Sequence, residues 1–287
     1  MLETQVNRKI QRMQKNRMIK STLYNNMPWK ARVFIRKVYY FGSKFDCSVC
    51  GSRVRDLLST GHKLAILDEL DVIGAKYREQ DTCPVCLSHC RTRLVHKFLR
   101  TGTNIESSKL RLLHVAPEFG LYLSLRKISN VEYVPADFVV ERYADYIPVE
   151  QMDITQISYG ADHFDAIVCN HVLEHIENDR LAMAELFRVL KPGGWAILQV
   201  PIAKNLEHTF EDRKIVDPAA REQNYGQKDH VRVYAMDYVE RLSSVGFVVE
   251  VLDALALWGR ETTEKLKLNP EEKIFVARKN IIDGAHR

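Results

Sequence analysis

The 287-residue sequence predicts an α/β protein: a largely parallel sheet with helices on both faces, behind a small cysteine-bearing module. Three observations carry that expectation. Short apolar runs alternate with a helical segment between Leu110 and Ile202, the pattern of a parallel sheet covered on both sides. Two Cys-x-x-Cys pairs, Cys47/Cys50 and Cys83/Cys86, precede that stretch. The first 44 residues hold eleven Lys or Arg against one acid, Glu3, a net +10, while the whole chain carries +5 and the remainder therefore −5.

The elements follow in order. Arg111–Val115 is a first apolar run, broken at Ala116-Pro117-Glu118-Phe119-Gly120. Val131–Val134 is a second and ends at Asp137; Gln151–Ile154 is a third; Phe164–Asn170 is a fourth, followed by His171-Val172-Leu173-Glu174-His175. A helix over Asp179–Leu190 stops at Lys191-Pro192-Gly193-Gly194, a turn that cannot continue it. Trp195–Val200 is the fifth strand. A helix over Asp237–Val245 and strands over Phe247–Leu252 and Lys273–Arg278 complete the sheet with an antiparallel edge pair. Such a sheet binds its ligand at the carboxyl ends of its strands.

Hydrophobic residues make up 46% and charged residues 28% of the chain, ordinary for a globular protein. Its length suits one large α/β domain plus a small module. No apolar run approaches the ~20 residues of a membrane span. The best candidate, Val33–Phe41, carries Arg36 and Lys37. No export signal is recognisable, so a cytoplasmic location with reduced cysteines is expected.

Three parts result: a basic arm over 1–44, a cysteine module over 45–100, and a catalytic domain over 105–287 entered through Thr101–Asn104. In the arm, Val6, Ile10, Met13 and Arg17 recur at helical spacing among basic residues. Trp29, Phe34, Tyr39, Tyr40 and Phe41 interleave with Lys30, Arg32, Arg36 and Lys37. Basic charge with aromatics suits an anionic membrane surface, with peripheral attachment at its inner face, or nucleic acid. The alternative is a solvated helix against the protein's own body.

In the module, a two-residue gap lets both thiolates of a pair reach one ion. Two pairs supply the four sulfurs that a structural zinc takes. The pairs stand 32 residues apart, so Arg53–Asp81 must leave and return. His89 and Cys90 are spare ligands; a redox pair or plain buried thiols are the alternatives. A closed four-ligand site is structural rather than catalytic. The basic helix Arg91–Arg100 links this ribbon to the following domain, and Cys169 is a core thiol.

Asp137, Asp153, Phe164-Asp165, Val172-Leu173-Glu174-His175 and Leu190-Lys191-Pro192-Gly193-Gly194 together resemble class I S-adenosylmethionine-dependent methyltransferases of the type 11 group. The resemblance covers roughly residues 105–280 and implies a Rossmann-like class I methyltransferase sheet behind a zinc-ribbon module. One departure stands out. That family's first loop reads acid-x-Gly-x-Gly-x-Gly; here it reads His114-Val115-Ala116-Pro117-Glu118-Phe119-Gly120. Ala116 is small enough for close approach, whereas Pro117 fixes φ and removes a donor. A subgroup with a His-x-Ala-Pro-Glu loop and paired upstream cysteines is similar to this chain.

The resemblance implies that S-adenosylmethionine is held by His114, Ala116, Pro117, Glu118, Gly120, Asp137, Asp153, Ile154 and Asn170. Asp137 lies 23 residues after His114, where a carboxylate can accept hydrogen bonds from ribose hydroxyls. Asp153 matches the adenine-side acid. Turn or cap roles are the alternatives for these acids. His171, Glu174 and His175 also have the spacing of an inverted zinc-protease motif. Their position after the fourth strand, where the family carries Leu-Glu-His, instead makes His175 a residue below the site or on its wall.

The polar, aromatic segment 203–234 forms an insertion at the strand tips, the usual place of a lid. There His230, oriented by Asp229, is the candidate catalytic base, with a surface or capping role as its alternative. His171, His175, His208, Tyr225 and Arg232 are candidate substrate residues. Similar ribbon-bearing sequences act on surface glycans or their precursors, which implies an O-methyltransferase on a sugar or other small hydroxylated acceptor. The alternatives are an RNA methyltransferase gripping phosphate with its ribbon and arm, and a non-catalytic binding protein with a degenerate site.

Overall fold

The computed structural model describes Tyr24 and residues 26–143 and 147–281. The helical spacing at Val6, Ile10, Met13 and Arg17 lies outside these residues. After Tyr24, the described residues enter α1 (Trp29–Tyr39), and Trp29 meets Phe119 edge-on. The cysteine module follows. β1 (Phe41–Asp46) pairs antiparallel with β2 (Arg53–Val54). β3 (Leu58–Thr60) leads to α2 (Ala65–Glu69) and β4 (Val72–Ile73), and the chain returns along β5 (Arg78–Thr82), the antiparallel partner of β3.

α3 (Cys90–Gly102) comes next. It runs longer than the expected linking helix and includes two of the four residues read as a polar linker. Leu94, Val95, Phe98 and Leu99 pack under the large sheet, so the helix is part of the sheet domain's core. Burial of each such side chain is worth about 1.5–3 kcal/mol, which outweighs the poor helix propensity of Thr101 and Gly102.

The sheet is built from β6 (Leu110–Val115), β7 (Val131–Asp137), β8 (Glu150–Gln151), β9 (Phe164–Asn170) and β10 (Leu190–Gln199), with β12 (Val248–Asp253) and β13 (Lys273–Arg278) at one edge. The spatial order is β12-β13-β10-β9-β6-β7-β8. β6 through β10 are parallel neighbours, and β13 lies antiparallel to both β10 and β12. The predicted sheet and its antiparallel edge pair are thus present. Alternate residues of the central strands feed two cores. Leu113, Ile167 and Leu198 face one side; Leu112, Val168 and Ile197 face the other. Cover on both faces explains why these strands read as unbroken apolar runs.

Helices complete that cover. α4 (Phe119–Leu125) and α3 close one face. α5 (Asp179–Val189) closes the other through Ala182, Met183, Leu186 and Val189. Asn178 caps α5 by accepting from Leu181 N–H at 3.2 Å, satisfying one of the helix's orphan donors. The third strand is shorter than its apolar pattern predicts. Asp153 turns its side chain back onto Thr155 and ends the pairing after Gln151.

Beyond β10 the chain forms β11 (Ile202–Ala203), which pairs antiparallel with β4 of the cysteine module. α6 (Pro218–Tyr225) then packs on α2, with Leu67, Ala203, Tyr225 and Val233 in one small core. The module's excursion and the post-β10 insertion therefore form one cap over the strand tips. Gly226 sits where the two meet, at φ +85°, and a Cβ there would stand 2.4 Å from Leu67 Cδ2. α7 (Tyr238–Ser244) and α8 (Ala254–Lys265) flank the edge strands.

Candidate active site

Among the cavities at the carboxyl ends of the parallel strands, two share a wall. The larger, of about 440 Å³, lies beyond β6, β7 and β9 and is walled by Ala116, Asp137, Asp153, Ile154, His171 and His175 among others. Ala116 has φ +49°, the left-handed conformation that glycine normally supplies. The loop thus keeps a glycine-like bend without the glycine. Asp137 is 6% exposed. The Tyr143 hydroxyl donates to its Oδ2 at 2.7 Å, and Val139 N–H donates to its Oδ1 at 2.9 Å. Asp153 Oδ1 accepts from both Thr155 N–H and its hydroxyl, at 2.8 and 2.7 Å, so this acid also serves as a turn cap. Ile154 is buried against the same space.

The other residues expected around the cofactor stand behind this wall. His114 is fully buried. Its Nε2 faces Glu118 Oε2 at 3.2 Å and its Nδ1 faces Tyr133 Oη at 2.7 Å. A carboxylate can only accept, so Nε2 carries the proton and Nδ1 receives the tyrosine's. Burial opposes charge on Glu118, but the hydrogen bonds from His114 and Asn170 bring its carboxyl below the usual range. Asn170 donates to both Glu118 oxygens at 3.3 Å, while its own Oδ1 is buried without a partner. Pro117 and Glu118 lead into α4. Gly120 serves packing instead of cofactor approach: a Cβ there would lie 3.0 Å from Cys86 O and 3.3 Å from its Sγ. The cofactor loop is thereby pressed onto the second cysteine pair.

The smaller cavity, of about 270 Å³, lies under the cap between the module and the sheet domain. Gly74, Arg78, Arg91 and Glu272 help to wall it, and so do His171, Glu174 and His175. His171 and His175 belong to both cavities. His171 has φ +54°, a conformation costly for a residue with a Cβ and concentrated at functional sites. Its Nδ1 lies 3.4 Å from Glu174 Oε1, and its buried Nε2 has no partner. Burial, then the Arg91 charge, pushes its pKa down. Burial also opposes charge on Glu174, yet the three histidines around it hold its carboxyl at about 2. Gly74 passes close over the His171 ring; a Cβ would meet Cε1 at 3.1 Å.

The segment expected to supply the base is arranged differently. His230 is 2% exposed and lies off both cavity walls. Its Nδ1–H faces Tyr225 O at 3.3 Å, and burial lowers its pKa to about 4. It packs against the His175 ring and lines neither cavity, so the structure does not set it where the expected base would face the acceptor. Asp229 orients His175 instead: its carbonyl accepts from Nδ1–H at 3.2 Å. Three expected substrate residues are elsewhere too. His208 is exposed away from both cavities. Tyr225 is buried, with its hydroxyl donating to Asp212 O at 3.2 Å. Arg232 spends its guanidinium on the Leu173, Ile176 and Glu177 carbonyls and on Glu211. Arg78, Arg91 and Glu272 were not foreseen, because they belong to no motif and meet only when the cap folds.

The four cysteines converge. Cys47, Cys50, Cys83 and Cys86 each offer a sulfur within 4.8 Å of the others. Cys47–Cys86 and Cys50–Cys83 are 3.7 and 3.9 Å apart. Sulfurs at ~2.3 Å from a tetrahedral zinc are about 3.8 Å apart, so the set fits that ion. The two loops are alike. Gly51 N–H reaches Cys47 O and Leu87 N–H reaches Cys83 O, with Gly51 and Leu87 both at positive φ. Ser88 Oγ stands 3.1 Å from Cys86 Sγ.

A parallel sheet in this order, with an acid at the end of its second strand and a cavity at its tips, defines a class I methyltransferase fold. Residues 122–198 match the type 11 family described as a methyltransferase domain. A 71-residue stretch is 31% identical to a demethylmenaquinone methyltransferase of Streptomyces avermitilis, covering 23% of this chain and 31% of that protein. The chain thus spans less than a third of the relative it matches.

Similar solved structures include the 4+2 cyclase SpnF, 14% identical with a TM-score of 0.47 over 67% of this chain and 83% of that one. A methyltransferase from Mesorhizobium loti is 14% identical with a TM-score of 0.45, over 67% and 99%. One from Archaeoglobus fulgidus is 15% identical with a TM-score of 0.44, over 66% and 94%.

Proposed function

We propose that the protein transfers a methyl group from S-adenosylmethionine to a hydroxyl of a small polyhydroxylated acceptor, a sugar or glycan precursor. One observation carries this reading: two cavities at the strand tips share His171 and His175, so two ligands would meet at those rings. The larger cavity fits the cofactor. Asp137 offers a carboxylate to ribose hydroxyls, and Met152 and Ile154 give an apolar slot for the base. When bound, the cofactor supplies an activated methyl carbon.

The chain's residues do the rest. Glu174 faces Nδ1 of His171, which leaves Nε2 of the neutral ring as a proton acceptor. The buried carboxylate then stabilises the imidazolium. The cap built from β4, α2, β11 and α6 excludes water from the meeting point. The smaller cavity sets donors beside acceptors: Arg91 Nε and Glu272 Oε2 are buried without a hydrogen bond, and Arg78 Nε has only a long ion pair to Asp81 at 3.6 Å. A hydroxyl both donates and accepts, so a polyol satisfies this mixture, while an apolar acceptor would leave it orphaned. The four cysteines hold a structural zinc that fixes the loop pressing on Gly120.

Mass spectrometry of cell extracts incubated with the protein and methyl-labelled cofactor tests the reading. Label should appear in a small hydroxylated compound or glycan precursor. Label confined to RNA, or none at all, would overturn it.

A further inference from the structure

We infer that Glu174, His175 and His230 form a second metal site, for a first-row dication such as Zn²⁺, Co²⁺ or Fe²⁺, at the wall shared by the two cavities. Each of the three offers a ligand atom within 4.8 Å of the other two. Two of those side chains are almost fully buried and incompletely satisfied. Glu174 and His230 are each 2% exposed, and Glu174 Oε2 and His230 Nε2 have no hydrogen-bond partner. Buried polar atoms without partners are rare and costly, and an unplaced ion is one of the few things that accounts for them.

The chemistry of the donor set agrees. His230 points Nδ1 at Tyr225 O, and His175 points Nδ1 at Asp229 O. Each carbonyl fixes the proton on Nδ1, so the opposite nitrogen keeps its lone pair. That is the arrangement by which outer groups prepare metal-binding imidazoles. Two histidines and one carboxylate leave coordination positions open and select borderline transition dications over Mg²⁺ or Ca²⁺. The site is separate from the four-cysteine cluster. Glu174 and His175 also wall the acceptor cavity, so an ion there would act as a Lewis acid where the acceptor is proposed to lie, a consequence that rests on that reading.

The test is Co²⁺ titration of the full chain purified with its endogenous metal, followed by metal analysis, absorption spectroscopy and melting. The wild type should gain one Co²⁺ per chain without a thiolate-to-metal absorption band. His175→Ala and His230→Asn should both fail to gain it, with His175→Ala melting close to wild type because its side chain is 30% exposed. Uptake that is absent from wild type, or unchanged in both folded variants, would overturn the site. Calorimetry with S-adenosylmethionine on the same samples keeps the two ideas apart: cofactor binding without Co²⁺ uptake sinks the metal site alone, and the reverse sinks the methyltransferase reading alone.

Discussion

His171 joins three properties that rarely coincide: a left-handed backbone, a buried unpartnered Nε2, and a carboxylate behind Nδ1. If it takes the acceptor's proton, His171→Ala should lower turnover by roughly 10²–10⁴. Cofactor affinity should change far less. Stopped-flow turnover and equilibrium binding would separate the two, and near-normal turnover would remove His171 from the chemistry. His96 offers a pH test away from the site. Burial, then the Arg100 charge, lowers its pKa to about 4, and its Nε2 lies 2.9 Å from Ser124 Oγ. In the unfolded chain it titrates near 6.5, so between about 6.5 and 4 the unfolded state binds more protons. Stability is therefore full above 6.5 and falls with decreasing pH, by at most about 3 kcal/mol. Denaturant melts of His96→Gln should lose that slope; an unchanged slope would assign it to other groups.

At the scale of elements, the cap decides what reaches the strand tips. β4 pairs with β11 and α2 packs on α6, so two distant insertions stabilise each other. Gly226→Ala would force a Cβ into Leu67 at a positive φ. That should cost at least ~1 kcal/mol of stability and raise the acceptor's KM while leaving cofactor affinity unchanged. Equal loss of both would mean that the cap also shapes the cofactor cavity.

The same elements show what was legible in the sequence. β9, α5 and the Lys191–Gly194 turn follow from periodicity and caps, which are local. The four cysteines were readable because identical spacing in two places has few other causes. The second cavity was not, because Arg78 and Arg91 lie 93 and 80 residues before His171, and no spacing rule links them. His230 misled for a related reason. A histidine in a polar insertion looks like a base, and only packing reveals that Tyr225 and Glu174 enclose it.

At the scale of the whole molecule, the cysteine module is bound into the sheet domain. Arg93 is fully buried and donates to Asp81 O and Ser88 O on one side and to Leu266 O and Lys267 O on the other. A zinc at the four cysteines, as proposed, would order the Cys83–Cys86 loop and so support the loop at Gly120 as well. Cys83→Ser should lose the metal, melt at lower temperature and weaken cofactor binding; metal retention would refute the site.

The described residues contain no helix long and apolar enough to cross a membrane. α1 nevertheless exposes Phe34, Val38 and Tyr39 beside Lys30 and Lys37, and the arm is proposed to rest on an anionic lipid surface. Phe34→Ser combined with Lys37→Glu should reduce sedimentation with anionic vesicles and spare turnover; unchanged sedimentation would remove this face from the membrane.

The central claim is that the cavity at Asp137 holds S-adenosylmethionine. Titration calorimetry of the full chain addresses it most directly. Saturable binding of one cofactor per chain is expected, weakened in Asp137→Ala by roughly 1.5–3 kcal/mol as hydrogen bonds to a charged group are lost. Absence of binding to the wild type, or equal affinity in the variant, would contradict the account.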